Sequence, residues 1–474
     1  MTAGTKPRRR RALVVAAVLC SVAALAVAAY GWKHEHDRAS ALERAALARG
    51  LALHAAELRE SDPGKAAEVG AAAIAVANDE LTRRGLVDSV LRNRREPLTD
   101  PMYANQSVAL SADGRIALAE DAGGVGVWDL TTWLRPIDGD IDSDGGGGGD
   151  DAAGRQALLK GHRKEVSAVA LAADGRTALT GDESGAILVW DLARPARPVR
   201  AATLAKGGKG GGIRTLALSG DTRLAVAGDD DGRVRMWDLS DRFRPARLPD
   251  IPIGAGGVEE LALSADGRTA AVVADADSGV STTIWDLTDP GRPVKAAAPA
   301  FTGPAAAMDM SADGRTALLA DLMRLDAWEI RDPSYPRQVG VVTDVDVTEI
   351  ALTSDGRLAF VAGDSGEGVL LDLSRLSRPV RVATLSGETE SIGDVALSGD
   401  ARVALMSSWD GGVQFWDLTG LAGLAAHPLD EYCETRRPEL TWEEWSRLTG
   451  GADWEPFGGY GTVAMYPCHA RSGP

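Results

Sequence analysis

Short runs in which apolar and polar residues alternate fill most of the chain between residues 94 and 420. The pattern is clear at Val166, Val169 and Leu171, and at Ile350 and Leu352, where apolar side chains precede a turn rich in Gly and Asp. Alternation with a period of two, bounded by such turns, is typical of half-buried β-strands. The pattern predicts three short strands per copy, followed in most copies by an Arg-Pro connector and a fourth run.

Residues 38–93 show a helical period instead. Ala, Leu, Glu and Arg, which are strong helix formers, dominate residues 38–60. An apolar stripe stands at helical spacing and consists of Leu47, Leu51, Ala55 and Leu58. After a break, Asp62 can cap a second helix whose first position suits Pro63, and Asn78 and Asp79 can cap a third. We interpret residues 33–93 as a helical stalk.

A five-residue turn motif recurs seven times in the alternating region, always with Asp at the third position and Arg at the fifth and most often as Ser-Ala-Asp-Gly-Arg. A second motif, usually Trp-Asp, follows each copy. The turn copies begin at Ser111, Ala172, Ser219, Ser264, Ser311, Thr353 and Ser398. The second motifs are Trp128-Asp129, Trp190-Asp191, Trp237-Asp238, Trp285-Asp286, Trp328-Glu329, Leu371-Asp372 and Trp416-Asp417. Six of the 12 tryptophans therefore occupy one repeat position, which explains why tryptophan outnumbers the 6 tyrosines and the 5 phenylalanines.

Residues 94–424 resemble a WD40 repeat array, whose family fold is a β-propeller of four-stranded blades. The second copy resembles the family pattern best, with Gly161-His162 upstream of Trp190-Asp191. The resemblance implies an all-β, seven-bladed propeller in which these residues have structural roles. It also implies a buried His–Ser/Thr–Asp–Trp hydrogen-bond network. We expect the network to be incomplete in most blades, because Gly-His occurs once. In addition, Ser184 stands six residues before Trp190, where the family pattern has the aspartate of the network.

The ring of blades is predicted to close through its two ends. No Arg-Pro outer-strand pattern follows Leu418, whereas residues 95–98 precede the first copy. We expect residues 95–98 to supply the outer strand of the seventh blade, which would leave no unpaired inner edge.

The N-terminus carries a candidate membrane segment. Residues 12–32 contain no charge, and at 1.5 Å per residue they span about 31 Å, enough to cross a bilayer core. Arg8–Arg11 precede this run, so the positive-inside rule places residues 1–11 in the cytoplasm and the rest of the chain outside. A cleaved signal peptide with a cleavage site at residues 26–28 is the alternative. Both predict export of the propeller.

Residues 425–474 depart from the repeat and are predicted to form a helical tail. Thr441 and Glu444 have the spacing of a capping box that opens a helix. In an exported protein, Cys433 and Cys468 are candidates for a disulfide, with two free thiols as the alternative. The stalk and the tail resemble those of high-GC bacterial WD40 proteins in which a STAND-type NTPase module comes first. Only 11 residues precede the apolar run here, so we expect no such module and no NTPase activity.

An Asp- and Gly-rich insertion at residues 136–155 interrupts the first blade. Its acidic side chains fit the spacing of a calcium loop, and the candidate ligands are Asp140, Asp142, Asp144 and Asp151. Five consecutive glycines and the lack of flanking helices favour a disordered acidic loop instead. Calcium binding therefore stays as the weaker interpretation.

Charge and motifs narrow the class of function. The net charge of −17 disfavours nucleic-acid partners, and no catalytic motif or recurring metal-ligand spacing is present. No acidic or histidine cluster is apparent for the mouth of a propeller. We predict a membrane-anchored, non-catalytic scaffold without a cofactor, which binds a protein partner. The alternatives are an envelope sensor of a ligand or of calcium and, more remotely, a hydrolytic propeller.

Overall fold

The computed structural model describes most of the chain between residues 41 and 449. The described ranges are residues 38, 41–99, 107–121, 123–134, 154–208, 210–253, 256–276, 279–297, 307–321, 323–343, 345–386, 391–409, 412–435, 440–449 and 464–465. Contacts divide the chain into two compact units. The helical unit comprises Met1–Leu86 with Tyr432–Pro474, and the propeller unit comprises Val87–Glu431. The propeller unit thus begins at Val87, seven residues before residue 94, the predicted start of the propeller.

In the described part of the chain, six α-helices lie before and after the blades. They are α1 (residues 41–58), α2 (Pro63–Val76), α3 (Glu80–Arg92), α4 (Leu421–Ala426), α5 (Pro428–Thr435) and α6 (Trp442–Thr449). The predicted caps are present: the Asp62 carboxylate accepts from Lys65 N at 2.9 Å, and that of Asp79 accepts from Thr82 N at 3.0 Å. The predicted capping box of α6 is also formed, since Thr441 and Glu444 bond each other's main-chain N–H groups.

The core of the helical unit brings the stalk and the tail together. On α1, Leu51 and Ala55 of the predicted stripe are buried, and they pack with α2, with Leu440 and with Trp445, whose exposure is 0%. The Lys65 ammonium lies 2.8 Å from both Glu68 and Glu444. The hydrogen bond from Lys65 lowers the pKa of Glu444 to about 2. Stalk and tail are thus one folding unit, although more than 300 residues separate them in the chain.

Seven four-stranded antiparallel sheets form the blades of the propeller unit. The strands of blades 1 to 4 are β2 (Val108–Leu110), β3 (Ile116–Asp121), β4 (Gly124–Asp129), β5 (Arg155–Leu159), β6 (Val166–Leu171), β7 (Thr177–Asp182), β8 (Ala186–Asp191), β9 (Val199–Lys206), β10 (Ile213–Leu218), β11 (Leu224–Asp229), β12 (Val234–Asp238), β13 (Ala246–Arg247), β14 (Val258–Leu263), β15 (Thr269–Ala276), β16 (Gly279–Asp286) and β17 (Val294–Ala297). Those of blades 5 to 7 are β18 (Ala307–Met310), β19 (Thr316–Asp321), β20 (Arg324–Glu329), β21 (Arg337–Thr343), β22 (Glu349–Leu352), β23 (Leu358–Ala362), β24 (Gly368–Asp372), β25 (Val380–Leu385), β26 (Ile392–Leu397), β27 (Val403–Ser408), β28 (Gly412–Asp417) and, from the start of the chain, β1 (Arg95–Pro97). A short pair outside the blades joins β29 (Leu440–Thr441) to β30 (Ala464–Met465).

The predicted closure of the ring is confirmed. β1 pairs with β28, with Arg95 opposite Trp416 and Pro97 opposite Gln414, so the seventh blade combines both ends of the repeat region. Pro97 occupies an outer strand, where the missing N–H leaves no ladder bond unmade. The third strand of the seventh blade, β28, is therefore paired on both sides, with β27 and with β1.

Apolar residues from adjacent blades form the cores of the ring. Each cluster of buried side chains draws on two neighbouring blades, as where Leu179 and Val189 pack with Ile213 and Trp237. The turn motifs reinforce these junctions: Ala112 N donates to Ala173 O at 3.0 Å, and Asp400 N donates to Ala112 O at 3.1 Å. Equivalent bonds link blades 3 to 7 in succession. Packing is thus mainly between neighbours, as in other repeat folds.

None of the helices in the described part of the chain has the length and hydropathy needed to span a membrane. Residues 12–32, the predicted membrane segment, lie outside the described residues.

Candidate functional site

The repeated turn holds each blade by short hydrogen bonds. In the first copy, Ser111 Oγ donates to Asp113 at 2.7 Å and accepts from Ile116 N at 3.0 Å, while Arg115 N donates to Asp113 at 3.1 Å. The same Ser/Thr–Asp bond recurs in the copies that begin at residues 219, 264, 311, 353 and 398. Gly114 has a φ of +66°, the left-handed region that favours glycine. The aspartates of this motif are therefore structural.

The Trp-Asp motif also has a structural role. The tryptophans of the motif are at most 6% exposed, namely Trp128, Trp190, Trp237, Trp285, Trp328 and Trp416. In six copies the carboxylate that follows accepts a hydrogen bond from the N–H two residues later, and these carboxylates belong to Asp129, Asp191, Asp238, Asp286, Asp372 and Asp417. In blade 5, Glu329 pairs with Arg331 and Arg337 instead.

A complete polar network lies inside the second blade. Thr180 Oγ1 lies 2.6 Å from His162 Nε2 and accepts from Trp190 Nε1 at 2.9 Å, and Asp182 lies 2.9 Å from His162 Nδ1. Burial acts to raise the pKa of Asp182, but hydrogen bonds from Ser184 and His162 hold it below its ordinary value. Nδ1 of His162 therefore donates to an ionised Asp182, and Nε2 accepts from the Thr180 hydroxyl.

This network corrects the position that the sequence analysis assigned to its aspartate. The acid is Asp182, eight residues before Trp190, whereas Ser184 donates to Asp182 at 2.6 Å. The expectation that most blades lack the network is confirmed for the described residues. The indole N–H groups of Trp128, Trp328 and Trp416 have no hydrogen-bond partner there. Their blades place an apolar residue where the second blade has Thr180.

The remaining predicted site residues stay largely untested. Asp140, Asp142, Asp144 and Asp151 lie outside the described residues. Cys433, on α5, is in a disulfide, whereas Cys468 lies outside the described residues, so their pairing stays a prediction. The strand β5 begins at Arg155, the last residue assigned to the acidic insertion.

A central channel is lined by the inner strands of all seven blades. Its volume is about 780 Å³. Eight carboxylates line it, which belong to Glu165, Glu183, Asp230, Glu259, Glu260, Asp309, Glu349 and Asp394. Among the described residues that line the channel, Arg214 is the one basic side chain, and it forms an ion pair with Asp230. The expectation that the mouth of the propeller lacks an acidic cluster was therefore wrong.

Burial and mutual repulsion act on these carboxyl groups. Burial raises the pKa of Asp309 to about 6, against the opposing effect of hydrogen bonds from Met310 N and Leu352 N. Burial, together with the charge of Asp394, raises the pKa values of Glu260 and Glu349. The channel therefore holds protons on acids that would be ionised at neutral pH in water.

Glu120, on β3 of blade 1, lies beside the channel. Its N–H donates to the carbonyl oxygen of Ser107, a lining residue, at 3.3 Å. The residue is only 9% exposed, and Oε2 has no hydrogen-bond partner. Burial raises its pKa to about 8, with further contributions from the charges of Glu165 and Glu183, which line the channel. A buried acceptor without a partner destabilises the fold, so Glu120 is not explained by packing alone.

Sequence reasoning missed the channel because its acids are spread over distant copies. Glu260, Glu349 and Asp394 each stand four residues before the first residue of a turn motif, so alignment of the copies on that motif would have shown a shared position. In the described part of the chain, no three His, Cys, Asp or Glu side chains are arranged to hold a metal ion. The channel can attract and neutralise positive charge.

Comparison with known families agrees with the geometry. Residues 155–191, 202–238 and 379–417 match the WD40 family, described as WD domain, G-beta repeat. Each matched stretch contains all or part of an outer strand and the three inner strands of the next blade. No curated protein matches the chain. The described part of the chain thus contains a seven-bladed β-propeller, three stretches of which match the WD40 repeat.

Proposed function

We propose that this protein is a membrane-anchored, non-catalytic scaffold that presents its propeller to a protein partner. The observation that carries the proposal is the closed ring of seven WD40-type blades. Propellers with WD40 repeats generally bind protein partners, and a ring closed by β1 offers rigid loops at both faces. Preorganised loops lose little conformational entropy on binding, which favours recognition.

Exposed aromatic side chains on the connectors support this proposal. Tyr335 is 80% exposed and Phe243 is 55% exposed, and both follow the Trp-containing strand of their blade. Exposed aromatics with two side-chain torsions are effective anchors in protein interfaces. They are suitable positions at which to detect a partner.

Site-specific photocrosslinking in intact cells tests the scaffold function. We expect crosslinkers placed at residues 243 and 335 of the full-length chain to give the same discrete protein adduct. A crosslinker at Leu53, which is 64% exposed on α1, is the comparison position in the helical unit. The absence of an adduct at every propeller position would overturn the proposal.

Membrane anchorage through residues 12–32 rests on the uncharged run and the preceding arginines. Protease treatment of intact cells, with lysed cells as the control, tests the topology. Digestion in intact cells is expected if the propeller lies outside. Protection until lysis would instead indicate a cytoplasmic propeller and would also remove the basis for a Cys433–Cys468 bridge.

The two alternative functions have separate tests. Calorimetry with calcium chloride, before and after deletion of residues 138–151, would reveal a calcium sensor by heat that depends on this loop. Assays of the full-length chain against envelope polymers would reveal a hydrolytic propeller by turnover. Turnover that Glu260→Gln abolishes would assign a catalytic role to the acidic channel and would overturn the non-catalytic proposal.

A further inference from the structure

The inner strands place more acidic residues in the channel than the propeller fold requires. Four residues before the turn motif, blades 1, 2, 3 and 5 have Ser107, Ala168, Thr215 and Ala307. These residues show that the position tolerates small neutral side chains. Blades 4, 6 and 7 have Glu260, Glu349 and Asp394 at the same position. Three inner strands therefore contribute a carboxylic acid to one channel at the same repeat position, although strand pairing does not require an acid there.

Two of the channel acids join neighbouring blades, whereas Asp230 and Glu260 accept hydrogen bonds from Gly212 N and Leu261 N. Asp309 accepts from Leu352 N at 2.7 Å, and Asp394 accepts from Val108 N at 2.8 Å, so each bridges two neighbouring inner strands. In contrast, no described Lys, Arg or His side chain forms an ion pair with Glu260 or Glu349. Burial and the charge of Asp394 disfavour the ionised forms of these two glutamates in the unliganded channel.

Glu120 gives an independent indication of a missing positive group. It is more than nine-tenths buried, its Oε2 lacks a partner, and its charge interacts with those of Glu165 and Glu183 at the channel. A buried carboxylate is normally paired or hydrogen-bonded. The charged groups that act on Glu120 are thus carboxylates of the lining, and the basic side chain of the described lining, Arg214, pairs with Asp230 instead.

We propose that the central channel binds an organic cation, namely an alkylammonium or guanidinium group, between Glu260, Glu349 and the lining acids beside Glu120. Such a group donates several hydrogen bonds and neutralises carboxylates that now repel one another. Its source is either a lysine or arginine side chain of the partner or a free polyamine. The first source deepens the proposed scaffold function and rests on it.

The spread of the acids favours an extended organic cation over a metal ion. Asp309 stands two residues closer to its turn motif than the shared acidic position, so the carboxylates line the channel at more than one depth. Within the described ranges, the acids also lack a grouping suited to a metal ion. A flexible cation on an apolar stem can satisfy acids at different depths.

Calorimetry on the full-length chain in mild detergent tests the proposal with three probes: spermidine, hexalysine and calcium chloride. We expect saturable binding of spermidine or hexalysine near pH 8. The double variant Glu260→Gln/Glu349→Gln should weaken that binding at least tenfold. Binding of hexalysine alone would identify a partner side chain as the source, and binding of spermidine alone would identify a free polyamine.

A charge-matched variant controls for the overall negative charge of the protein. Glu57→Gln/Glu367→Gln removes two exposed carboxylates, whose side chains are 75% and 54% exposed, and should bind as the parent does. Equal weakening in both double variants, or no saturable binding of either organic cation, would overturn the proposal. Tight calcium binding that the channel variant abolishes would also overturn it in favour of a metal.

Proton release provides a second measurement that does not depend on the double variant. Because the cation prefers ionised carboxylates with raised pKa values, affinity should rise with pH between 6 and 8, and binding should release protons. Titrations in two buffers of different ionisation enthalpy measure this release. A pH-independent affinity would contradict the proposal. Failure of channel binding, with the crosslinked adduct at residues 243 and 335 retained, would leave the scaffold function intact.

Discussion

Individual positions in the seven turn motifs differ in how well they suit the backbone they share. Five copies have Gly at the fourth position, with φ between +66° and +69°. The third and seventh copies have Thr222 and Ala401 at that position, with φ of +62° and +60°. A side chain in the left-handed region is disfavoured because Cβ approaches the following carbonyl oxygen. These two turns therefore store strain that the ring tolerates.

Relief of that strain is measurable. We expect Ala401→Gly to raise the free energy of unfolding by about 0.5–1 kcal/mol, the strain released less the added entropy of the unfolded chain. The reciprocal variant Gly114→Ala should lower it, since the new Cβ would also approach Val403 Cγ2 to 2.8 Å. Thermal melting of both variants checks the pair. Destabilisation by Ala401→Gly would contradict the argument.

The network of the second blade allows a second test at this scale. Thr180→Val should destabilise the propeller by about 1–3 kcal/mol, because His162 and Trp190 would each lose a buried hydrogen-bond partner. Thr203→Val changes an exposed threonine of the same blade and should have little effect. Denaturant unfolding followed by tryptophan fluorescence compares the variants. Equal stability of the two would show that packing alone holds this blade.

Individual helices and strands follow local pattern closely. The helical spacing of Leu51 and Ala55 predicts the buried face of α1. The cap at Asp62 and the capping box at Thr441 predict the starts of α2 and α6, and both are present. Local sequence could not show that Trp445 packs in the core of α1 and α2, because that contact joins residues nearly 400 positions apart. Neither stalk nor tail has enough apolar surface for a core of its own.

Two leucines on α1 form a matched pair for testing this shared core. Leu51 is 1% exposed and Leu53 is 64% exposed. Leu51→Ala should lower the free energy of unfolding of the helical unit by about 2–5 kcal/mol, whereas Leu53→Ala should change it little. Hydrogen exchange of α1, α2 and α6 measures the effect. If α6 stays protected in Leu51→Ala while α1 loses protection, the shared core would be refuted.

The whole propeller combines a closed ring with an acidic channel, and the channel makes its stability depend on pH. The pKa of Glu120 is raised from 4.5 to about 8, and that of Asp309 from 3.8 to about 6. At a pH between the ordinary and the raised pKa of each group, the folded chain holds a proton that the unfolded chain has released. The free energy of unfolding therefore falls as pH rises, by about 1.4 kcal/mol per pH unit for each such group.

We therefore expect the unliganded protein to melt at a lower temperature at pH 8 than at pH 5.5. Glu444 has the opposite sign, since its lowered pKa contributes stability that is lost only as pH falls from 4.5 towards 2. Glu120→Gln should flatten the pH dependence, whereas Glu57→Gln on the exposed face of α1 should leave it unchanged. Scanning calorimetry from pH 5.5 to 8 measures this. A flat profile in the parent would contradict the raised pKa values.

The sequence alone determined the repeats, the number of blades, the closing strand and the helix caps. Each depends on residues close in the chain or on a motif that recurs at fixed spacing, as at Ser111 and Trp190. Tertiary structure alone decided that Asp182 completes the network and that Trp445 packs on the stalk. It alone brought Glu260 and Glu349 to one channel. Closure of the ring places side chains from separate copies around one axis, and only that geometry brings their charges together.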